Sequence, residues 1–154
     1  MLVYFAAPLF SIAERRFNEN LTNKLENIGF DVYLPQRDGA ENDKNWTEEL
    51  TLEDRRLLVF QKDEEKILEC DVFLFILDGR VPDEGASVEL GIAYCQKKIL
   101  QTKRLILGLQ TDSRAAFLHS KLNPMINVPL EYVTEDEDSL LRILENYKRS
   151  GSVE

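Results

Sequence analysis

The chain alternates short apolar runs with longer stretches in which apolar residues recur every three or four positions. Leu2 to Ala6 reads as a first strand, broken by Pro8. Ser11 can cap a helix reaching about Ile28, with Phe17, Leu21, Leu25 and Ile28 on one face and Gly29 at its stop. Phe30 to Leu34 reads as a second strand, ended by Pro35. Gln36 to Thr51 is polar, holds the only tryptophan, Trp46, and reads as a long loop or a partly helical insertion. Glu53 to Glu69 has helical spacing, with Leu57, Phe60, Ile67 and Leu68 as expected core contacts. The continuous apolar run of Asp71 to Leu77 suits a central parallel strand covered on both faces.

Beyond it, Ser87 to Lys98 reads as a helix and Arg104 to Leu109 as the fourth strand. Ser113 to Leu118 reads as helical, Asn123 to Val128 as a short helical turn and Leu130 to Val133 as a fifth strand. Asp136 to Tyr147 is an amphipathic terminal helix, and Lys148 to Glu154 a frayed tail. Strands that alternate with helices make βαβ units with right-handed crossovers. The expectation is one α/β domain over residues 1–154: a flavodoxin-like three-layer sandwich with a five-stranded parallel sheet, order 2-1-3-4-5. Its switch point falls between strands 1 and 3. Phe5 to Phe10 and Asp78 to Glu89 then surround one crevice.

Composition narrows the function. The chain is 44% hydrophobic and 31% charged, which fits a water-soluble globule. No apolar run approaches the roughly 20 residues of a membrane span, and no basic leader precedes the first strand. The net charge is −9, with basic residues interleaved among acids, as in Lys62-Asp63-Glu64-Glu65-Lys66. Binding to a nucleic-acid polymer needs a concentrated basic face and is not expected. Cys70 and Cys95 lack metal-ligand spacing and read as reduced structural thiols, so a cytoplasmic setting is expected.

Under this topology Tyr4, Asp63, Asp83 and Glu89 converge on the crevice. Glu89 falls in the first turn of the predicted helix, where the macrodipole favours an ionised carboxylate. Glycosidic cleavage needs this inventory: one carboxylate to attack the anomeric carbon, one acid to protonate the leaving group. Spacing alone leaves plainer alternatives open. Asp83 and Glu89 could cap and solvate a helix start, Asp63 could lie on a solvated helix face, and Tyr4 could be a core aromatic.

Four segments carry a resemblance. They are Val3-Tyr4-Phe5-Ala6-Ala7-Pro8; Lys62-Asp63 followed by Cys70-Asp71-Val72; the Asp-x-Gly-x-x-x-Glu-x-Gly pattern from Asp83 to Gly91; and Asn123-Pro124-Met125-Ile126. Together, and in this order, they resemble the nucleoside 2-deoxyribosyltransferase family, which moves 2-deoxyribose between nucleobases through a covalent glycosyl-enzyme. The resemblance implies Glu89 as nucleophile, Tyr4 hydrogen-bonded to it, and Asp63 as the acid and base at the nucleobase. It implies Asp83 on the sugar hydroxyls and Asn123 reaching a neighbouring subunit's site, hence a homo-oligomer with shared sites. The partners it implies are small 2-deoxynucleosides and free nucleobases, with no cofactor or metal.

Other positions stay undecided. Phe10 either stacks on the base or staples the first helix. Trp46 either covers the base or anchors its own loop. The segment from Gln36 occupies the place where the family touches the base. His119, the only histidine, reads as a surface residue without a role. Two other functions remain open: a hydrolase of deoxynucleoside 5′-monophosphates, whose phosphate would have to meet Ser11, Arg15, Arg16 or Arg80, and a non-catalytic nucleotide sensor.

Overall fold

Five strands form a single parallel sheet: β1 (Leu2–Ala6), β2 (Asp31–Tyr33), β3 (Val72–Ile76), β4 (Leu105–Leu109) and β5 (Tyr132–Thr134). Their order is β2-β1-β3-β4-β5, as the sequence pattern predicts. The computed structural model describes residues 1–43, 46–112 and 122–151. The helices are α1 (Ile12–Asn27), α2 (Pro35–Asp38), α3 (Leu52–Glu69), α4 (Glu84–Leu100), α5 (Pro124–Asn127) and α6 (Glu137–Ser150), with a 3₁₀ turn at Ala40–Asn42.

Successive strand residues face opposite sides of the sheet, so each strand feeds two cores. Val3, Phe5, Leu74, Ile76 and Leu107 pack with Leu21 and Leu25 of α1 and Leu140 and Leu144 of α6. Tyr4, Tyr33, Phe73 and Phe75 pack with Ile67 of α3 and Ala86, Leu90 and Ala93 of α4. Each such apolar side chain contributes about 1.5–3 kcal/mol on full burial. Helix on sheet on helix gives the three layers.

Local chemistry sets the helix ends. Ser11 and Glu14 close a capping box on α1, and Thr51 and Asp54 close another on α3. Gly29, at φ +84°, turns the chain out of α1, and its N–H donates to the Glu26 carbonyl at 2.9 Å.

Several expectations change. Of the four α3 residues expected in the core only Ile67 is buried; Leu57, Phe60 and Leu68 are 54%, 52% and 43% exposed. The middle of α3 stands over a cavity shared with α4 rather than on the sheet. Helix α4 begins at Glu84, three residues earlier than predicted, because Asp83 caps it. Helix α6 continues to Ser150 instead of fraying after Tyr147. Lys148 Nζ donates to the carbonyls of Ile28 at 2.9 Å and Gly29 at 2.6 Å, tying its last turn to the end of α1. Cys70 is buried, but Cys95 is exposed. The predicted helix Ser113 to Leu118, and His119, lie outside the described residues. Among the described residues no helix is long and apolar enough to cross a membrane.

Candidate active site

The ends of β1 and β2 and the start of α4 enclose a cleft of about 240 Å³ at the C-terminal edge of the sheet. Phe10, Gln36, Asp63, Asp83 and Glu89 all line it. Four of the six residues expected at the site therefore meet in one cleft, beside the switch point between β1 and β3. A larger cavity of about 690 Å³ between α3 and α4 opens beside it and shares Asp63, Gly85 and Glu89. Its walls include Trp46, Phe60, Val88 and Ile92.

Asp83 holds the entrance. One of its oxygens, Oδ1, accepts the Ala86 N–H at 2.9 Å, and its carbonyl accepts the Ser87 hydroxyl at 2.7 Å. Capping uses Oδ1, so Oδ2 is the oxygen left to face a ligand. This cap also corrects the placement of Glu89. It sits in the second turn of α4, beyond the first turn where the macrodipole acts.

The Glu89 carboxyl is accordingly pushed up to about 7, not down. Burial between the two helices is the main cause, the Asp63 charge adds to it, and the Tyr4 phenol opposes both. A carboxyl this far above the ordinary range is the kind of group found where chemistry is done.

Tyr4 is fully buried in β1. Burial, and the charges of Glu89 and Asp63, hold its phenol far above the usual tyrosine range, so it stays protonated and keeps a proton to donate. Its hydroxyl has no hydrogen-bond partner among the described residues. The expected Tyr4–Glu89 hydrogen bond is thus not formed. The approach falls short of bonding geometry, although it is near enough for the phenol to favour the Glu89 carboxylate.

Asp63 lies on the sheet-facing side of α3. Burial raises its pKa, a hydrogen bond from Tyr33 opposes that rise, and the Glu41 charge adds to it. The Tyr33 hydroxyl donates to Asp63 Oδ1 at 2.8 Å. Tyr33 was hidden in the sequence among the apolar residues of the second strand. The signal that marks it is positional: it is the last residue of β2, level with Tyr4 across the sheet.

Other predicted residues differ. Phe10 is 81% exposed and lines the rim of the cleft. Asn123 is exposed and caps α5, accepting the Met125 N–H at 2.9 Å, and it lines neither cavity. The Gln36 amide is occupied: Asn18 Nδ2 donates to its Oε1 at 3.0 Å, and its Nε2 donates to the Arg15 carbonyl at 3.0 Å. The same Asn18 amide donates to the Pro8 carbonyl at 3.0 Å, so a buried asparagine braces this wall. Trp46 lies under the Arg55 guanidinium, 5.3 Å from the ring centroid. Ser11 is used by its cap, and Arg15, Arg16 and Arg80 are exposed and line neither cavity. Among the described residues no three His, Cys, Asp or Glu side chains are arranged to hold a metal ion.

The architecture recurs among solved structures. A conserved protein from Enterococcus faecalis is 28% identical, with a TM-score of 0.70 over 96% of this chain and 98% of that one. A 2-deoxyribosyltransferase from Bacillus psychrosaccharolyticus is 23% identical, with a TM-score of 0.72 over 91% and 90%. A CMP N-glycosidase from Clostridium botulinum is 19% identical, with a TM-score of 0.52 over 94% and 99%, so the fold also carries a hydrolase. No curated protein matches the sequence. The model of the nucleoside 2-deoxyribosyltransferase family, however, matches residues 3–142, nearly the whole chain, and the protein belongs to that family.

Proposed function

We propose that the protein transfers 2-deoxyribose between nucleobases, with Glu89 as the nucleophile. The observation that carries this reading is the pairing of Glu89 with Asp63 in one cleft, each with a phenol beside it. Glu89 attacks C1 of the deoxysugar as the bond to the base breaks, and the electron pair of that bond leaves with the base. Asp63 gives its proton to the departing base, which general acid catalysis typically accelerates by about 10²–10⁴. The incoming base then displaces Glu89 and returns a proton to Asp63. Two displacements at one carbon restore the β anomer. Tyr4, which cannot lose its proton near neutral pH, closes on Glu89 when the ester bond breaks and the carboxylate returns. The free Oδ2 of Asp83 takes a sugar hydroxyl. Phe10 covers the base from the rim. Asn123 serves the site of a neighbouring copy, so the working unit is a homo-oligomer.

Transfer is favoured over hydrolysis of deoxynucleotides by the lining of the cleft. A phosphate needs donors near the sugar 5′ end. Among the described residues no arginine or lysine lines the cleft, and Arg55 and Arg56 line the larger cavity instead. Incubation with deoxyinosine and adenine tests the reading: deoxyadenosine should form. Release of free base from a deoxynucleotide, with no exchange, overturns it. Sedimentation of the active enzyme as a monomer overturns the shared site.

A further inference from the structure

Resting on the transfer reading above, we infer that Tyr33 is a positioning residue, which holds the Asp63 carboxyl in the one orientation that presents its second oxygen to the nucleobase. Tyr33 is 5% exposed and closes β2 at the edge of the cleft. Its ring cannot swing. It is stacked on Tyr4 with centroids 5.5 Å apart, and Tyr4 is stacked on Phe73 at 5.6 Å, so three rings on neighbouring strands make one rigid tier. The pairing Tyr4↔Tyr33 and Tyr4↔Phe73 in the sheet register imposes this tier.

From that fixed ring the hydroxyl donates to Asp63 Oδ1 at 2.8 Å. Oδ2 accepts no hydrogen bond from the described side chains and is left for the cleft. A carboxyl held at one oxygen by a donor that cannot move has one way to face a base. Positioning of this kind is worth most when the proton must pass during bond cleavage. The groups facing Asp63 are Tyr33 from β2, Tyr4 from β1, Glu41 from the 3₁₀ turn and Glu89 from α4. Of these, Tyr33 is the one that donates a hydrogen bond to it.

Tyr33→Phe keeps the ring and the stack and removes the donor. With deoxyinosine as sugar donor, kcat should fall about tenfold while KM stays within about twofold. With an N7-methylated purine deoxynucleoside, whose cationic base departs without a proton, kcat should equal that of the unchanged enzyme. The double variant Tyr33→Phe/Asp63→Asn should be no slower than Asp63→Asn alone, since both changes act at one step. Equal losses on both donors, or losses that multiply, overturn the positioning role. The inference can fail separately from the transfer reading. Carbon-13 NMR of the Asp63 carboxyl needs no turnover, and Tyr33→Phe should move its titration to higher pH; an unmoved titration overturns the contact itself.

Discussion

The buried Tyr4 hydroxyl lies near enough to the Glu89 carboxyl to favour its charge without closing a hydrogen bond. Tyr4 is fixed by a strand and two stacked rings, Glu89 by the second turn of a helix. The phenol is the one influence that lowers the Glu89 pKa, against burial, Asp63 and Asp83, which raise it. In the proposed transfer the reactive form carries one proton on the pair, on Asp63, with Glu89 ionised. Activity therefore declines as the pair loses that last proton, and kcat/KM should fall as pH rises through about 7. Removing the phenol in Tyr4→Phe favours the protonated carboxyl, so this limb should move to higher pH, with kcat reduced about a hundredfold. A pH profile superimposable on that of the unchanged enzyme would separate Tyr4 from Glu89.

Glu89→Gln should abolish exchange and stabilise the fold. The Glu89 carboxyl titrates at about 7 in the folded chain, against an ordinary 4.5. The folded state thus binds the proton more tightly than the unfolded one, and stability falls as pH rises between these two values. Below that window the charge costs nothing; above it the cost is on the order of 2–3 kcal/mol. The variant should gain most of that at pH 8 and almost none at pH 4, read by urea denaturation at each pH. Equal stability at both values would mean that the carboxylate is well solvated.

Much of this was legible in the sequence. The two-residue alternation of Val3-Tyr4-Phe5 and the unbroken run Val72 to Ile76 identify the central strands, because a parallel strand buried on both faces leaves no polar position. The motif from Asp83 to Gly91 gave the cleft. What the sequence hid was tertiary. The macrodipole reading of Glu89 failed because the Asp83 cap moved the helix start by three residues, which traded a favourable dipole for burial. Leu57 and Phe60 have core spacing but are exposed, Phe60 on the wall of a cavity, and helical periodicity cannot distinguish a cavity wall from a sheet. Tyr33 acts through a residue 30 positions away, a distance that only the sheet register and α3 packing close.

Gly108 sits mid-strand in β4, where any side chain would collide. A Cβ there would come within 2.6 Å of Leu77 Cδ1 and 3.2 Å of Leu130 Cδ1, both in the packed layer under α4. Gly108→Ala should destabilise the fold by about 1–3 kcal/mol, since two buried leucines would have to shift. The loss should appear as a lower urea midpoint with an unchanged slope. A midpoint equal to that of the unchanged protein would show that Leu77 has another rotamer open to it.

Arg104 holds the opposite edge of the sheet together. It is 5% exposed, yet its guanidinium faces carbonyl groups rather than a carboxylate. Nε donates to the Cys70 carbonyl at 2.8 Å, Nη2 to Leu68 at 2.9 Å and Nη1 to Ala93 at 3.3 Å. One planar fork thus joins the end of α3, the approach to β3 and the middle of α4. The Leu68 carbonyl also accepts from Gln96 Nε2 at 3.1 Å, so it would keep a partner if the arginine were lost. Among the described residues the Cys70 carbonyl shows no second donor of this kind. Arg104→Met fills the volume but leaves that carbonyl unpaired, and should cost about 2–4 kcal/mol. Arg104→Lys should recover little, because an ammonium on a single stem cannot reach three divergent carbonyls. Both variants should keep full exchange activity while folded, since the cleft lies at the far ends of the strands. Urea denaturation combined with kcat below the unfolding midpoint separates the two effects. A fall in kcat without a fall in stability would mean that this edge communicates with the cleft through α4.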